Sequence, residues 1–233
     1  MYSLAKGNVF NRSLDKIEPI YFQGDNESME KYLFSYTAAS LLPHETQKVA
    51  ELYLAFRDWK RVDTEVLEHN VLQKNALSTL KRENREIKKR LKSLTEEEFM
   101  LYEEGIDEKY ITFLACLKTY RLIFEFCSEI LREKVLLFDE QILPSDYTSF
   151  MESKQAGAEE LGHISTATEA KLRQVMFRML VEVGMVDSLK GMRITVPTLP
   201  RVLINAIVND DPKWLRGFLM SDSDIQDYVE GNA

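Results

Sequence analysis

Between Lys109 and Phe138 apolar side chains occupy nearly every face of one helical stretch, among them Phe113, Leu114, Leu117, Tyr120, Ile123, Phe124, Phe126, Ile130 and Leu131. A helix without a polar stripe has no side to show to water, so other elements must pack around it. This segment predicts a mainly α, multi-helix protein in which a central buried helix bridges two units, and 233 residues suffice to bury such a core. The richest apolar run, from Tyr110 to Leu117, is cut short by Lys118 and Arg121. No stretch therefore approaches the roughly 20 apolar residues that a membrane span needs, and the expectation is a soluble cytoplasmic protein with no membrane partner. Only Cys116 and Cys127 occur, too few for a disulfide framework; they read as core residues of a protein in a reducing compartment.

The segments before the central helix show helical periodicity. Val49, Leu52, Tyr53 and Phe56 form an amphipathic face between His44 and Arg57, a second helix is expected over Val62 to Glu68, and a third begins between Lys74 and Leu77 and runs to Leu94. With Leu80 at 0° and about 100° per residue, Ile87, Leu91 and Leu94 make an apolar stripe. Lys81, Arg85, Lys88 and Lys92 cluster between about 80° and 140°, with Arg82 and Lys89 near 200° and 180°. Ser93-Leu94-Thr95-Glu96-Glu97-Glu98 then carries a capping-box pattern, with Thr95 as N-cap and Glu98 reaching back to it. A boundary near Gly105 divides an N-terminal helical domain (29–105) from a C-terminal one (106–233). Glu18-Pro19-Ile20-Tyr21-Phe22-Gln23-Gly24 resembles a potyviral protease site, so residues 1–28 read as an added leader or as an N-terminal arm.

Downstream, Leu143-Pro144-Ser145-Asp146 starts a short helix capped by Ser145 or Asp146, and Ser165 or Thr166 caps a longer one that ends at Val183 before Gly184. Met185-Val186-Asp187 and Met192-Arg193-Ile194-Thr195-Val196, joined by Ser188 to Gly191, read as a β-hairpin. Helix, short helix, longer helix and hairpin is the order of a winged helix-turn-helix, whose third helix enters the major groove. Met176, Met179, Val175 and Val183 group with Leu172 on the inner face of the long helix. Lys171, Gln174 and Arg178 face outward and are residue types that contact phosphates and base edges, with Lys190 and Arg193 adding wing contacts. Leu199 to Val208 and Pro212 to Tyr228 are two further helices.

The formal net charge is -8, yet between Lys74 and Leu94 eight Lys/Arg stand against Glu83 and Glu86, a local charge of eight less two, +6. Phosphate neutralisation depends on such local fields and not on the pI. Two readings remain for the surplus of cations. They bind a polyanion, or they dock on the acidic run Glu96 to Glu108, and Glu86 can also pair along the helix with Arg82 and Arg90. His44, His69 and His163 are scattered, without metal-ligand spacing. No phosphate-cradling glycine loop, dinucleotide fingerprint or nucleophile elbow is present. The expectation is a non-enzymatic protein without cofactor.

Leu67-Glu68-His69-Asn70-Val71-Leu72-Gln73 followed by Lys88-Lys89-Arg90-Leu91-Lys92-Ser93-Leu94-Thr95, then Phe126-Cys127-Ser128-Glu129-Ile130-Leu131-Arg132-Glu133-Lys134, then Thr168 to Leu180 (T-E-A-K-L-R-Q-V-M-F-R-M-L) resemble, in order, segments of the BrxA proteins of bacterial BREX phage-defence systems. The resemblance covers roughly residues 31–200. It implies a mostly helical, non-enzymatic protein of NusB-like architecture with helix-turn-helix character that binds double-stranded DNA. It marks Lys88, Lys89, Arg90, Lys171, Arg173, Gln174 and Arg178 as candidate contacts, beside Lys81, Arg82, Arg85 and Lys92 of the basic helix. The acidic total charge departs from a typical DNA binder. Two other roles fit the same features, an adaptor that docks other BREX proteins and an RNA-binding protein by analogy with NusB.

Overall fold

A computed structural model describes residues 31–231, so the potyviral-like site and the segment 1–28 lie outside the described residues. After a 3-10 turn at Ser35–Ala38 come α1 (Pro43–Phe56), α2 (Trp59–Glu68), α3 (Leu77–Leu91) and α4 (Glu96–Met100), and then a 3-10 turn at Leu101–Glu103. Local chemistry sets these limits. Pro43 needs no hydrogen-bond partner in the first turn of α1, and Asp58 Oδ1 accepts from Lys60 N (2.8 Å) to start α2. The capping box forms as its spacing predicts: Thr95 N donates to Glu98 Oε2 (2.8 Å) and Glu98 N to Thr95 Oγ1 (3.2 Å).

The central apolar stretch is buried as expected but is not one continuous helix. α5 (Glu108–Thr119) stops at Tyr120, whose backbone is extended (φ -120°, ψ 94°). α6 (Arg121–Glu125), a π-helical turn (Phe126–Leu131) and α7 (Arg132–Leu136) continue beyond the break. Tyr120 leaves the helix with its ring edge-on to Tyr36 (centroids 5.3 Å apart) and its hydroxyl donating to Glu86 of α3. Every residue from Ile111 to Tyr120 is buried. Cys116 and Cys127 are free, buried thiols.

The C-terminal half adds α8 (Pro144–Gly157), α9 (Glu159–Gly162), α10 (Thr166–Val183), α11 (Arg201–Asp210), a 3-10 segment (Pro212–Phe218) and α12 (Asp222–Gly231). α8 begins at Pro144, one residue ahead of the expected cap, and Asp146 instead accepts from Leu143 N (2.7 Å). α10 has the expected ends: Ser165 Oγ accepts from Thr168 N (3.1 Å), and Gly184 turns the chain away at φ 85°. Phe126 in the π turn meets Phe150 of α8 (5.2 Å) and Phe177 of α10 (5.5 Å). Phe113 and Phe124 receive Phe218 (5.6 Å) and Trp214 (5.0 Å). One apolar cluster thus runs on both sides of Gly105.

The expected β-hairpin is a correction. No strand occurs among the described residues, and the winged-helix reading loses its wing. Two isolated antiparallel bridges, Val186 with Ile194 and Gln141 with Arg193, stand in its place. Two backbone bonds do cross between the segments, Asp187 N to Arg193 O (3.0 Å) and Thr195 N to Met185 O (2.9 Å), but the turn's own side chains take further donors and the ladder stops there. Asp187 Oδ1 accepts from Ser188 N (2.6 Å) and Arg193 N (2.9 Å), and Ser188 Oγ accepts from Gly191 N (2.8 Å). Ile194 N then turns to Glu140 O (2.7 Å), which divides the segment between two neighbours.

Candidate nucleic-acid interface

Of the eight cations between Lys74 and Lys92, four have a role inside the fold. Lys74 lies between Glu45 (2.8 Å) and Glu83 (2.9 Å). Lys88 reaches Asp63 on α2 (2.5 Å), which also accepts from Asn84 Nδ2 (2.9 Å) and so clamps α2 to α3. Lys89, half-buried, donates to Ser35 Oγ (2.6 Å) and approaches Glu86 (3.6 Å). Arg90 is fully buried. Its guanidinium donates to the carbonyls of Ala39 (3.1 Å), Ser40 (2.7 Å) and Leu41 (3.0 Å) and to Tyr120 Oη (3.1 Å). A group without solvent access cannot contact DNA, so Arg90 is withdrawn from the candidate contacts and is a structural clamp. Nor does Glu86 pair with Arg90 along the helix; buried itself, it accepts from Tyr120 and from Ser35 Oγ (2.9 Å). Burial pushes the neighbouring Cys116 thiol up to about 11 against the opposing pull of Arg90.

Lys81, Arg82, Arg85 and Lys92 remain, all exposed and without an ion-pair partner among the described residues. Trp59 at the start of α2 lies beside this row. It stacks on Tyr53 (centroids 4.1 Å apart, planes 17° apart), and the ammonium groups of Lys88 and Lys92 lie 5.7 and 5.8 Å from its ring centre, within cation-π range. The indole gives the C-terminal half of the basic row a stiff support. Lys60, exposed one residue further on, extends the positive surface onto α2. Trp59 and Lys60 precede the helix expected over Val62 to Glu68, but α2 includes both. The signal for them was the four-residue step from Trp59 to Asp63, which puts both on one side of a helix.

Five of the seven carboxylates in the acidic run that could have neutralised this face are engaged elsewhere, all but the exposed Glu103 and Glu104. Glu96 pairs with Arg57 (3.6 Å), Glu97 accepts from Asn209 Nδ2 (2.9 Å), and Glu98 is buried against Lys118, which also holds Asp210 (2.9 Å). Asp107 pairs with Lys109 (2.7 Å) and Glu108 with His44 (2.5 Å). None of these contacts reaches α3.

On α10, Lys171, Arg173, Gln174 and Arg178 are exposed, as are Lys190 and Arg193 beyond it. Lys171 Nζ donates to Gln174 Oε1 (3.0 Å), the Arg173 guanidinium lies 5.9 Å from the Tyr147 ring, and Arg193 pairs with Glu140 (2.9 Å). The Leu41 segment lies between α3 and α10: its carbonyl accepts from Arg90, and its N–H donates to Glu182 of α10 (2.7 Å). At about 100° per residue, Lys81, Arg85 and Lys92 of α3 point roughly opposite to Arg90, and hence away from that junction, while Arg82 lies about 80° from Arg90. Among the described residues no three His, Cys, Asp or Glu gather as metal ligands, and no helix is long and apolar enough to cross a membrane.

Three comparisons place this architecture among known proteins. A crystal structure of an uncharacterized protein from Magnetospirillum magneticum superposes with a TM-score of 0.72 at 20% identity, covering 80% of this chain and 97% of that one, a likeness of fold alone. A BREX protein BrxA from Bacillus cereus (strain H3081.97) is 31% identical over 158 residues, 66% of this chain and 78% of the relative. One from Escherichia coli O9:H4 (strain HS) is 25% identical over 150 residues, 64% and 70% respectively. The BrxA family model matches residues 30–211, most of the chain, so this protein belongs to the BrxA family.

Proposed function

We propose that this protein is a non-enzymatic, cytoplasmic component of a BREX phage-defence system that binds double-stranded DNA, contacting phosphates with the outer face of α3. The observation that carries the reading is the row Lys81, Arg82, Arg85 and Lys92: exposed, unpaired among the described residues, and beside an acidic run most of whose carboxylates hold other partners. Four like charges on one short helix repel one another, and a polyanion relieves that repulsion while releasing its counterions. Lys88 lies beside the row and adds to its field, although Asp63 holds its ammonium. The relatives' names support the system to which the chain is assigned. On α10, Lys171, Arg173, Gln174 and Arg178 form a second, separate set of contacts, with Lys190 and Arg193 at its edge.

Fluorescence anisotropy of a labelled duplex, titrated at several salt concentrations, tests the proposal. Four phosphate contacts correspond to a slope of roughly -3.6 in log K against log salt, a loss of about a hundredfold in affinity between 50 and 200 mM. A flat salt response, or no binding at 50 mM, would refute it.

A further inference from the structure

The tight turn between α1 and α2 carries two partly exposed aromatic residues, Phe56 and Trp59. Both are backed by a second planar group. Trp59 stacks on Tyr53 (centroids 4.1 Å apart), which packs in turn against Phe99 (5.2 Å), so the indole is footed on the core. The Arg61 guanidinium lies over the Phe56 ring, 4.0 Å from its centre. The turn that carries these groups is fixed. Arg57 takes the left-handed conformation (φ 53°) in which glycine normally ends a helix. Its N–H donates to Tyr53 O (2.7 Å), and its guanidinium pairs with Glu96 (3.6 Å). Around the rings positive charge is in surplus. Lys60, Arg61 and Lys92 are exposed and have no ion-pair partner among the described residues. The carboxylates beside them are committed: Asp58 caps α2 (2.8 Å), Asp63 holds Lys88 (2.5 Å), and Glu65, one turn beyond Arg61, pairs with His69 (3.3 Å).

From this we infer that the α1–α2 turn is a stacking site for unpaired nucleobases, and that the preferred ligand is duplex DNA opening into a single strand beside the α3 row. The inference rests on the duplex reading for its phosphate contacts and adds contacts to bases. Every base has a π-face that aromatic rings and guanidinium planes can cover, while neighbouring cations hold the phosphates on either side. An intact duplex keeps its bases stacked on one another, out of reach of such a platform. An acidic peptide would answer the cations and leave the planar groups without a matching surface. The two sites adjoin, since Lys88 and Lys92 of α3 lie 5.7 and 5.8 Å from the Trp59 ring centre.

The test compares three DNAs by fluorescence anisotropy with the full-length protein: a blunt duplex, the same duplex with a short oligothymidine tail, and the same duplex with a tail of abasic nucleotides. The abasic tail keeps the added phosphates and lacks the bases. The thymidine tail raises affinity about tenfold or more over both other DNAs, as stacking of a single base allows. Intrinsic fluorescence locates the contact. Of the two tryptophans Trp214 is buried, so quenching by the thymidine tail and not by the abasic one belongs to Trp59. Arg61→Lys keeps the charge and removes the planar guanidinium from an exposed site; the variant binds blunt duplex as wild type does and loses most of the tail's gain. Equal affinity for the thymidine and abasic tails, Trp59 emission that is the same with both, or an undiminished gain in Arg61→Lys would overturn the inference. A blunt duplex bound with a steep salt response, to which the thymidine tail adds nothing, overturns the stacking site and leaves the α3 reading standing. Thymidine-tailed DNA bound where blunt duplex is not bound at low salt refutes the α3 reading and retains the stacking site.

Discussion

Replacing Arg90 by Ala separates a structural role from a DNA-binding one. The substitution removes donors from three backbone carbonyls in the Ala39–Leu41 segment and from Tyr120 Oη, and it leaves the buried carboxylate of Glu86 with Lys89 (3.6 Å) as its neighbouring positive charge. Removing one partner from a buried charged network costs about 3–5 kcal/mol. At about 2–4 °C per kcal/mol for a chain of this size, the melting temperature falls by roughly 6–20 °C. Differential scanning calorimetry measures the drop, and duplex affinity is compared at a temperature where both proteins remain folded. The expected result is a large loss of stability with affinity within about twofold of wild type. An unchanged melting temperature together with weakened DNA binding would show that Arg90 acts at the surface and would refute the clamp.

Two further perturbations probe how the core is held. Burial alone would raise the Glu125 carboxyl, but hydrogen bonds from Arg121 (2.7 Å), Tyr32 Oη (2.7 Å) and Lys154 (3.1 Å) outweigh it and hold its pKa below the ordinary 4.5. The stability this adds is fully present above the unfolded-state value and is lost as pH falls through the lower folded value. Urea unfolding at pH 7 and in steps below pH 4.5 therefore shows Glu125→Gln less stable than wild type at neutral pH, with the gap closing in acid; a constant gap would contradict this assignment. Gly217 packs so closely that a Cβ there would lie 2.6 Å from Leu117 Cδ1 in the buried central helix. Gly217→Ala should cost about 1–3 kcal/mol by overpacking, measured by the same denaturation, and a neutral result would mean that the 3-10 segment shifts freely.

Features governed by neighbours in sequence could be read from the chain. The Thr95–Glu98 box, the Ser165 and Gly184 ends of α10 and the burial of most apolar residues from Phe113 to Leu131 depend on residues a few positions apart, and the structure has them. The basic face of α3 was also legible, because angular position depends only on helical period. Arg90 was not, since its partners Ser40 and Leu41 lie about fifty residues earlier and no local pattern distinguishes a buried guanidinium from its exposed neighbours. Tyr120 reads as one more apolar helical residue until its hydroxyl meets Glu86 across the core. The hairpin failed for a related reason: alternation from Met192 to Val196 is satisfied by single bridges to two different segments as readily as by one ladder.

The central claim is that the free cations of α3 contact phosphate. It is tested most directly by comparing the salt dependence of duplex binding for wild type, for a variant with Lys81, Arg82, Arg85 and Lys92 all changed to Gln, and for Lys171→Gln/Arg178→Gln. Each lost contact lowers the magnitude of the slope by about 0.9, and surface changes of this kind leave stability within about 0.5 kcal/mol per site. The account predicts that the α3 variant loses about 3.6 from the slope, with its melting temperature little changed. An α3 variant whose slope and affinity match wild type would contradict it, most plainly if the α10 variant alone lost binding.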